Sequence, residues 1–206
     1  MAQKLVALTF DDGPSNITEE VLNILEQHRA VGTFFLIGNL ITPDKKPILQ
    51  RQIRLGCEIA NHSYTHSDMT KLSPEVIKDE VAMTSALIKT LVNVETKFFR
   101  PPYIAVNDAM YDNIKMPFIC GCDSVDWNPQ TTVAERINNV LSKVSDGSLV
   151  LMHDLQNNKN TLEALPVIIE KLREQGYAFV TASQIFRMKG IDPNVPHKLW
   201  SNVFDK

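Results

Sequence analysis

Nothing in this chain of 206 residues gathers positive charge: 21 Lys and Arg stand against 24 Asp and Glu, for a formal net charge of −3. The basic residues are scattered along the sequence, which excludes the electrostatic footprint of a nucleic-acid binder and leaves a neutral or cationic substrate open. Long apolar runs are also missing. The longest are strand-sized, too short to span a membrane, and no charged n-region followed by an apolar h-region precedes Leu5. Cysteine is scarce, and three residues are too few for a disulfide framework. Cys120 and Cys122, two apart in a strand-like run, point the same way without being well placed to bridge, so all three cysteines read as free and mostly buried. No repeat, low-complexity tract or Gly/Ser linker appears before about Lys189, beyond which Pro193, Pro196 and Trp200 mark an irregular tail. With 44% hydrophobic residues, the chain is expected to form one domain over 1–206.

What is present alternates. Short β-branched or aromatic runs begin at Leu5, Thr33, Cys57, Lys97, Phe118, Ser148 and Tyr177, giving seven candidate strands with helical patterns between them. Asn16 and Glu19 have the spacing of a capping box ahead of a face carrying Val21, Leu22 and Leu25. Ser73-Pro74 opens another helix, containing Val76, Ile77, Glu80, Ala86 and Leu87. Leu162, Leu165, Ile168, Ile169 and Leu172 recur at helical spacing, and Gly176 closes that helix. Such alternation predicts a parallel sheet buried on both faces, which a barrel and a doubly wound open sheet both satisfy.

The polar residues favour the barrel. Asp11 and Asp12 follow the first strand, His62 and His66 the third, Arg100 the fourth, Asp123 and Asp126 the fifth, and His153 the sixth. A closed parallel barrel brings all of these to one rim, where an open sheet would spread them along an edge.

Five motifs sit at these strand exits. In TFDDGP (Thr9 to Pro14) two adjacent carboxylates diverge, so one can bind a metal while the other handles a proton; alone, the same residues can be only a turn. NHSYTH (Asn61 to His66) carries two imidazoles four apart, and two histidines with one carboxylate make a three-ligand set with an open position for water. No Glu follows His62, which excludes the HExxH helix of zinc proteases. In FRPPY (Phe99 to Tyr103) two prolines fix where Arg100 and Tyr103 point, and Tyr103 offers the first backbone N–H after Arg100. DSVDW and LVLMHD supply acids and a histidine for an Asp-held imidazole, although Trp127 and His153 taken singly also suit core packing and a satisfied strand end. His28 reads as an ordinary helix residue and His197 as a solvated one.

The ordered set TFDDGP, HSYTH, RPPY, DSVDW and LMH closely resembles the five motifs of the polysaccharide deacetylase, or NodB-homology, family, the fourth family of carbohydrate esterases. Together with GYAFVT around Tyr177, the likeness covers about nine-tenths of the chain. The resemblance implies a distorted (β/α) barrel of about seven parallel strands. It makes Asp11 the general base, and Asp12, His62 and His66 the ligands of Zn²⁺, with Co²⁺, Mn²⁺ or Ni²⁺ as alternatives. Arg100 tunes the base, the Tyr103 N–H completes an oxyanion site, Asp126 holds His153 as general acid, and Trp127 and Leu151 line an acetyl pocket. Ile104 departs from the family's usual Gly and Met69 from its Leu, the first adding bulk beside the oxyanion donor.

The implied reaction is hydrolysis of N-acetyl groups from an acetylated polysaccharide, with peptidoglycan N-acetylglucosamine preferred by analogy with bacterial cell-wall domains. Chitin or chitooligosaccharide deacetylation and acetylxylan ester hydrolysis are the alternatives, and an inactive glycan-binding relative is a remote one. The substrate implies an extracellular or cell-surface monomer, and the abrupt start before the first strand suggests a catalytic piece of a longer secreted or anchored protein.

Overall fold

The computed structural model describes residues 3–205, so the expected domain ends at 1 and 206 lie outside the described residues. In chain order the main elements are β1 (Lys4–Gly13), α1 (Thr18–Gln27), β2 (Gly32–Leu36), α2 (Lys46–Arg54), β3 (Glu58–Asn61), α3 (Pro74–Val92) and α4 (Asp108–Asn113). They continue with β4 (Phe118–Ile119), β5 (Cys122–Asp123), α5 (Val133–Leu141), β6 (Ser148–His153), α6 (Lys159–Glu174), β7 (Tyr177–Phe179), α7 (Ala182–Lys189) and β8 (Leu199–Trp200).

β1 is the axis of the sheet. Its C-terminal part pairs with β2 and its N-terminal part with β7, while β6 lies parallel to it from Val6 to Asp11. β3 extends the sheet beyond β2, and β5 beyond β6. The runs in β1, β2 and β6 are buried almost throughout, as strands covered on both faces require. Val6, Leu8, Phe10, Phe34, Val150 and Met152 pack under α1 and α6, which contribute Leu22, Leu25, Leu165, Ile168 and Ile169. Each such side chain contributes roughly 1.5–3 kcal/mol of burial free energy.

The sheet closes through single residues and short strands. Phe99 bridges Asn61 of β3 to Phe118 of β4, β4 pairs with β8, and Asn202 meets Ser148 of β6. The result is a distorted α/β barrel, as the motif order predicts, and among the described residues every pairing is parallel except the Ser148–Asn202 bridge.

Two local expectations are corrected. The run from Lys97 forms no strand beyond the Phe99 bridge, because Arg100 turns at once into the Pro101-Pro102 segment, where the N–H donors a ladder needs are missing. The Asn16–Glu19 capping box does not form. Asn16 instead pairs its amide with Asn157, and Ile17 occupies the N-cap. Beyond Lys189 the described residues include β8, and Val203 N–H donates to the carbonyl of Gly147, a residue with φ +91° and side chains packed where a Cβ would stand.

The other helix expectations hold. Ser73 caps α3 by accepting from Val76 N–H, with Pro74 in the first turn. Gly176 follows α6 at φ +85°. The cysteines are free, Cys57 buried and the other two half-buried. His28 caps the end of α1, and His197 is exposed beside Tyr111. Among the described residues no helix is long and apolar enough to cross a membrane.

Candidate active site

The carboxyl ends of β1, β3 and β6, with the segments after Phe99 and β5, converge on one cavity of about 620 Å³. Asp11, Asp12, His62, His66 and His153 line one part of it. Pro101, Tyr103, Ile104, Cys120, Asp123, Trp127 and Leu151 complete the lining. Arg100 and Asp126 lie behind the wall, fully buried. All ten residues singled out for the site therefore come together, in or directly behind one cavity.

The two adjacent acids are separated by the backbone. The β1–β2 register shifts between Asp11 and Gly13, and Asp12 takes φ +71°, a bulge at the strand end that turns its carboxylate away from that of Asp11. Gly13 allows this bend to pass close to Asp154, since a Cβ there would lie 2.5 Å from that carboxylate. Asp11, at 2% exposure, takes an ion pair from Arg100 Nη1 at 2.6 Å, and the Arg100 guanidinium lies 4.2 Å from the centre of the Phe35 ring.

Asp12 faces the histidines. Its Oδ1 is 3.4 Å from His62 Nε2 and 3.3 Å from His66 Nε2, yet this buried oxygen has no hydrogen-bond partner. The ligand atoms of the three residues lie within 4.8 Å of one another. His62 Nδ1 is 2.7 Å from the Arg100 carbonyl oxygen, a contact that puts the proton on Nδ1 and leaves the Nε2 lone pair facing Asp12. An orphaned carboxylate oxygen beside two imidazole nitrogens is the donor set a divalent cation takes, so the residues fit a metal ion.

The charges are mutually dependent. Burial raises the Asp12 pKa, but the adjacent imidazole of His62, with the charges of His153 and His66 adding to it, outweighs burial and brings it to about 2. Burial also disfavours a charged His62, and the carboxylates of Asp11 and Asp12 reverse that effect upward. His66 is shifted down, by burial and then by the charge of His62.

Next to Asp11, in register with it on the neighbouring strand β6, stands the second acid–imidazole pair. His153 Nδ1 lies 2.7 Å from Asp126 Oδ1, and the His153 backbone N–H donates to Asp126 Oδ2. Burial opposes a charged His153, while the hydrogen bond and charge of Asp126, with Asp11 and Asp12 further off, lift it to about 9. Burial likewise works against the Asp126 carboxylate, and the His153 bond carries its pKa below the usual value.

Trp127 is 55% exposed at the mouth, with its Nε1 donating to Asp123, so core packing does not describe it. Tyr103 stands at φ +58° and Ile104 at φ +56°, and among the described residues the Tyr103 N–H donates to no protein acceptor.

Residues 1–116 match the polysaccharide deacetylase family. The chain is 52% identical over 201 residues to a bifunctional xylanase/deacetylase of Pseudobutyrivibrio xylanivorans, an alignment covering 98% of this chain and 33% of that protein. The chain belongs to the polysaccharide deacetylase family. It spans about a third of the length of that relative. Its fold is similar to the Xyl-CE4 domain of a multidomain xylanase from the hindgut metagenome of Trinervitermes trinervoides, with TM-score 0.98, 52% identity and full coverage of both chains. It is also similar to a family 4 acetyl xylan esterase from Clostridium thermocellum in complex with a cobalt ion, with TM-score 0.94 and 37% identity over 98% of this chain and 100% of that one.

Three supporting residues escaped the motif reading of this deacetylase. Glu80, on α3 and 7% exposed, accepts from the N–H groups of Tyr64 and Thr65 and from the Thr65 hydroxyl, clamping the loop that carries both histidines. The signal was a carboxylate on the apolar face of α3. Asp154 and Arg136 are buried beside the two acid pairs, and only tertiary contacts reveal their surroundings.

Proposed function

We infer that this chain removes O-acetyl groups from acetylated xylan by metal-dependent hydrolysis. The observation that carries the reading is one cavity that brings together the Asp12–His62–His66 donor set, the Arg100-held Asp11 and the Asp126-held His153. The choice of xylan is supported by two likenesses at 52% identity, to a bifunctional xylanase/deacetylase and to a domain of a multidomain xylanase. The peptidoglycan expectation rested only on a general association of compact domains with bacterial walls, and it is kept as an outcome of the test.

Asp12 Oδ1, His62 Nε2 and His66 Nε2 would hold a divalent cation, with Zn²⁺ expected and Co²⁺, Mn²⁺ or Ni²⁺ able to replace it. Such an ion supplies Lewis acidity toward the acetyl carbonyl and eases deprotonation of water. The chain's own groups do the rest. Asp11 accepts the proton of the attacking water, and Arg100 fixes the carboxylate that does so. The Tyr103 N–H is free to donate to the oxygen on which negative charge develops. His153 gives its Nε2 proton to the departing sugar oxygen as the acyl C–O bond breaks, while Asp126 holds the ring. Acetate and a free sugar hydroxyl result. Leu151 and Trp127 would form the apolar side against which the acetyl methyl rests.

The test is acetate release from acetylxylan, N-acetylated chitooligosaccharides and peptidoglycan side by side, with the enzyme stripped by chelator and then reloaded with Zn²⁺ or Co²⁺. Acetylxylan is expected to be the fastest substrate and every activity to vanish on stripping. Release from peptidoglycan alone would overturn the xylan reading, and undiminished release after stripping would overturn the metal.

A further inference from the structure

Arg136 is the largest polar puzzle outside the described site. At 1% exposure it is buried in the first turns of α5, where the helix dipole disfavours a cation, and among the described residues no carboxylate lies within ion-pair distance of it. A buried charge without a direct counter-ion is costly unless its field is used. Its hydrogen bonds all go to neutral groups: Nε to the Thr131 carbonyl, Nη2 to the Asn128 carbonyl, and Nη1 to Asn158 Oδ1 and Thr161 Oγ1.

The last two partners point onward. Thr161, its hydroxyl oxygen occupied by Arg136, donates to Asp126 Oδ2 at 2.7 Å. Asn158 accepts from Arg136 through its oxygen, and its amide nitrogen donates to the Asp126 carbonyl and to the His153 carbonyl. Asp126 in turn grips His153 at both its ring and its backbone N–H. The guanidinium thus fixes the orientation of both groups that fix Asp126.

We propose that Arg136 is a positioning residue for proton delivery, acting through Thr161 and Asn158 to hold the Asp126–His153 pair in line with the leaving group. The inference rests on the reading of His153 as the acid. Arg136 touches neither substrate nor metal ligands, so its removal should weaken only the step that needs a proton on the leaving atom. With Arg136 absent, Thr161 and Asn158 lose the donor that sets their direction, and Asp126 gains rotational freedom.

The experiment compares kcat and KM on two acetyl donors. The sugar alkoxide of acetylxylan requires protonation as it leaves, whereas the phenolate of 4-nitrophenyl acetate departs without it. Arg136→Met is expected to lower kcat on acetylxylan roughly 10- to 100-fold, a part of the about 10²- to 10⁴-fold that a well-placed proton donor contributes. KM, Zn²⁺ affinity by calorimetry and aryl acetate turnover should stay near wild type. Arg136→Lys should recover part of the loss. If Arg136→Met fails to fold, Thr161→Val breaks the same chain while keeping the guanidinium, and the same selective loss is expected. Equal losses on both donors, or none on acetylxylan, would overturn the proposal. His153→Ala separates the two levels. A selective loss there without one in the Arg136 and Thr161 variants sinks this inference alone, while a non-selective His153→Ala sinks the acid assignment with it.

Discussion

The carbonyl oxygen of Arg100 lies 2.7 Å from His62 Nδ1, while the same residue's guanidinium holds Asp11 at 2.6 Å. One residue therefore orients a proposed metal ligand with its main chain and the proposed base with its side chain. The two functions are separable by changing Asp11. Asp11→Asn should keep Zn²⁺ affinity close to wild type in calorimetry and lower turnover by about 10²- to 10⁴-fold, the usual contribution of a general base. Loss of metal together with activity would make Asp11 a ligand or a structural residue.

Glu80 is expected to act on the metal through the loop it clamps. Ser63 and His66 both have positive φ, at +66° and +59°, and Glu80 together with Thr84, which donates to the Ser63 carbonyl, keeps them there. Glu80→Ala should reduce Zn²⁺ affinity roughly 10- to 100-fold. Glu80→Gln, which keeps one oxygen for the Tyr64 and Thr65 N–H groups, should lose less. Equal affinities for all three proteins would show the loop to be held without it.

Asp154 connects stability to pH. Burial raises its carboxyl to about 7, with the nearby Asp12 and Asp11 charges adding to the effect and the Thr18 hydroxyl opposing it. The folded pKa exceeds the unfolded one, so the protonated acid favours the fold. That contribution is complete below the unfolded value near 3.8 and is lost as pH rises through about 7. Asp154→Asn, neutral throughout, should therefore gain on the wild type as pH climbs from 4 toward 8. The gain is roughly 4 kcal/mol at most, at about 1.4 kcal/mol per pKa unit. Urea melts of the metal-free proteins across that range would check it, and parallel curves would refute it.

Ile104 is a β-branched residue at φ +56°, a conformation costing roughly 1–2 kcal/mol that glycine does not incur. Ile104→Gly should raise stability by at most about 1 kcal/mol once the greater freedom of an unfolded glycine is subtracted. It should also widen the cavity beside the Tyr103 N–H and raise KM for acetylxylan. A lower melting temperature would mean that the contacts of the Ile104 side chain outweigh the strain.

The chemistry was legible because each motif combines a buried strand with a polar exit, and both are local patterns. β1 and β6 announce themselves by unbroken apolar runs, and Asp11, Asp12 and His153 stand directly at their ends. What local patterns cannot carry is partnership at a distance. Glu80 serves Tyr64 and Thr65 from a helix, Arg136 serves Asp126 through α6, and Asp154 meets Gly13 across the sheet. β8, two residues long, has no periodicity to detect and exists only because β4 offers an edge. Asn16 shows the converse: its cap spacing was right, and a tertiary contact with Asn157 outcompeted it.

The closing seam at β8 also orders events in time. A chain made from its N-terminus can assemble β1, β2 and β3 early, but β4 finds its second neighbour only when Leu199 and Trp200 have been synthesised. The Cys120 N–H waits for the Trp200 carbonyl, and Leu149 for that of Ser201. The Cys120 wall of the cavity is thus among the last pieces to mature, and a nascent chain halted at Gly190 would hold every proposed catalytic side chain around an unsealed barrel.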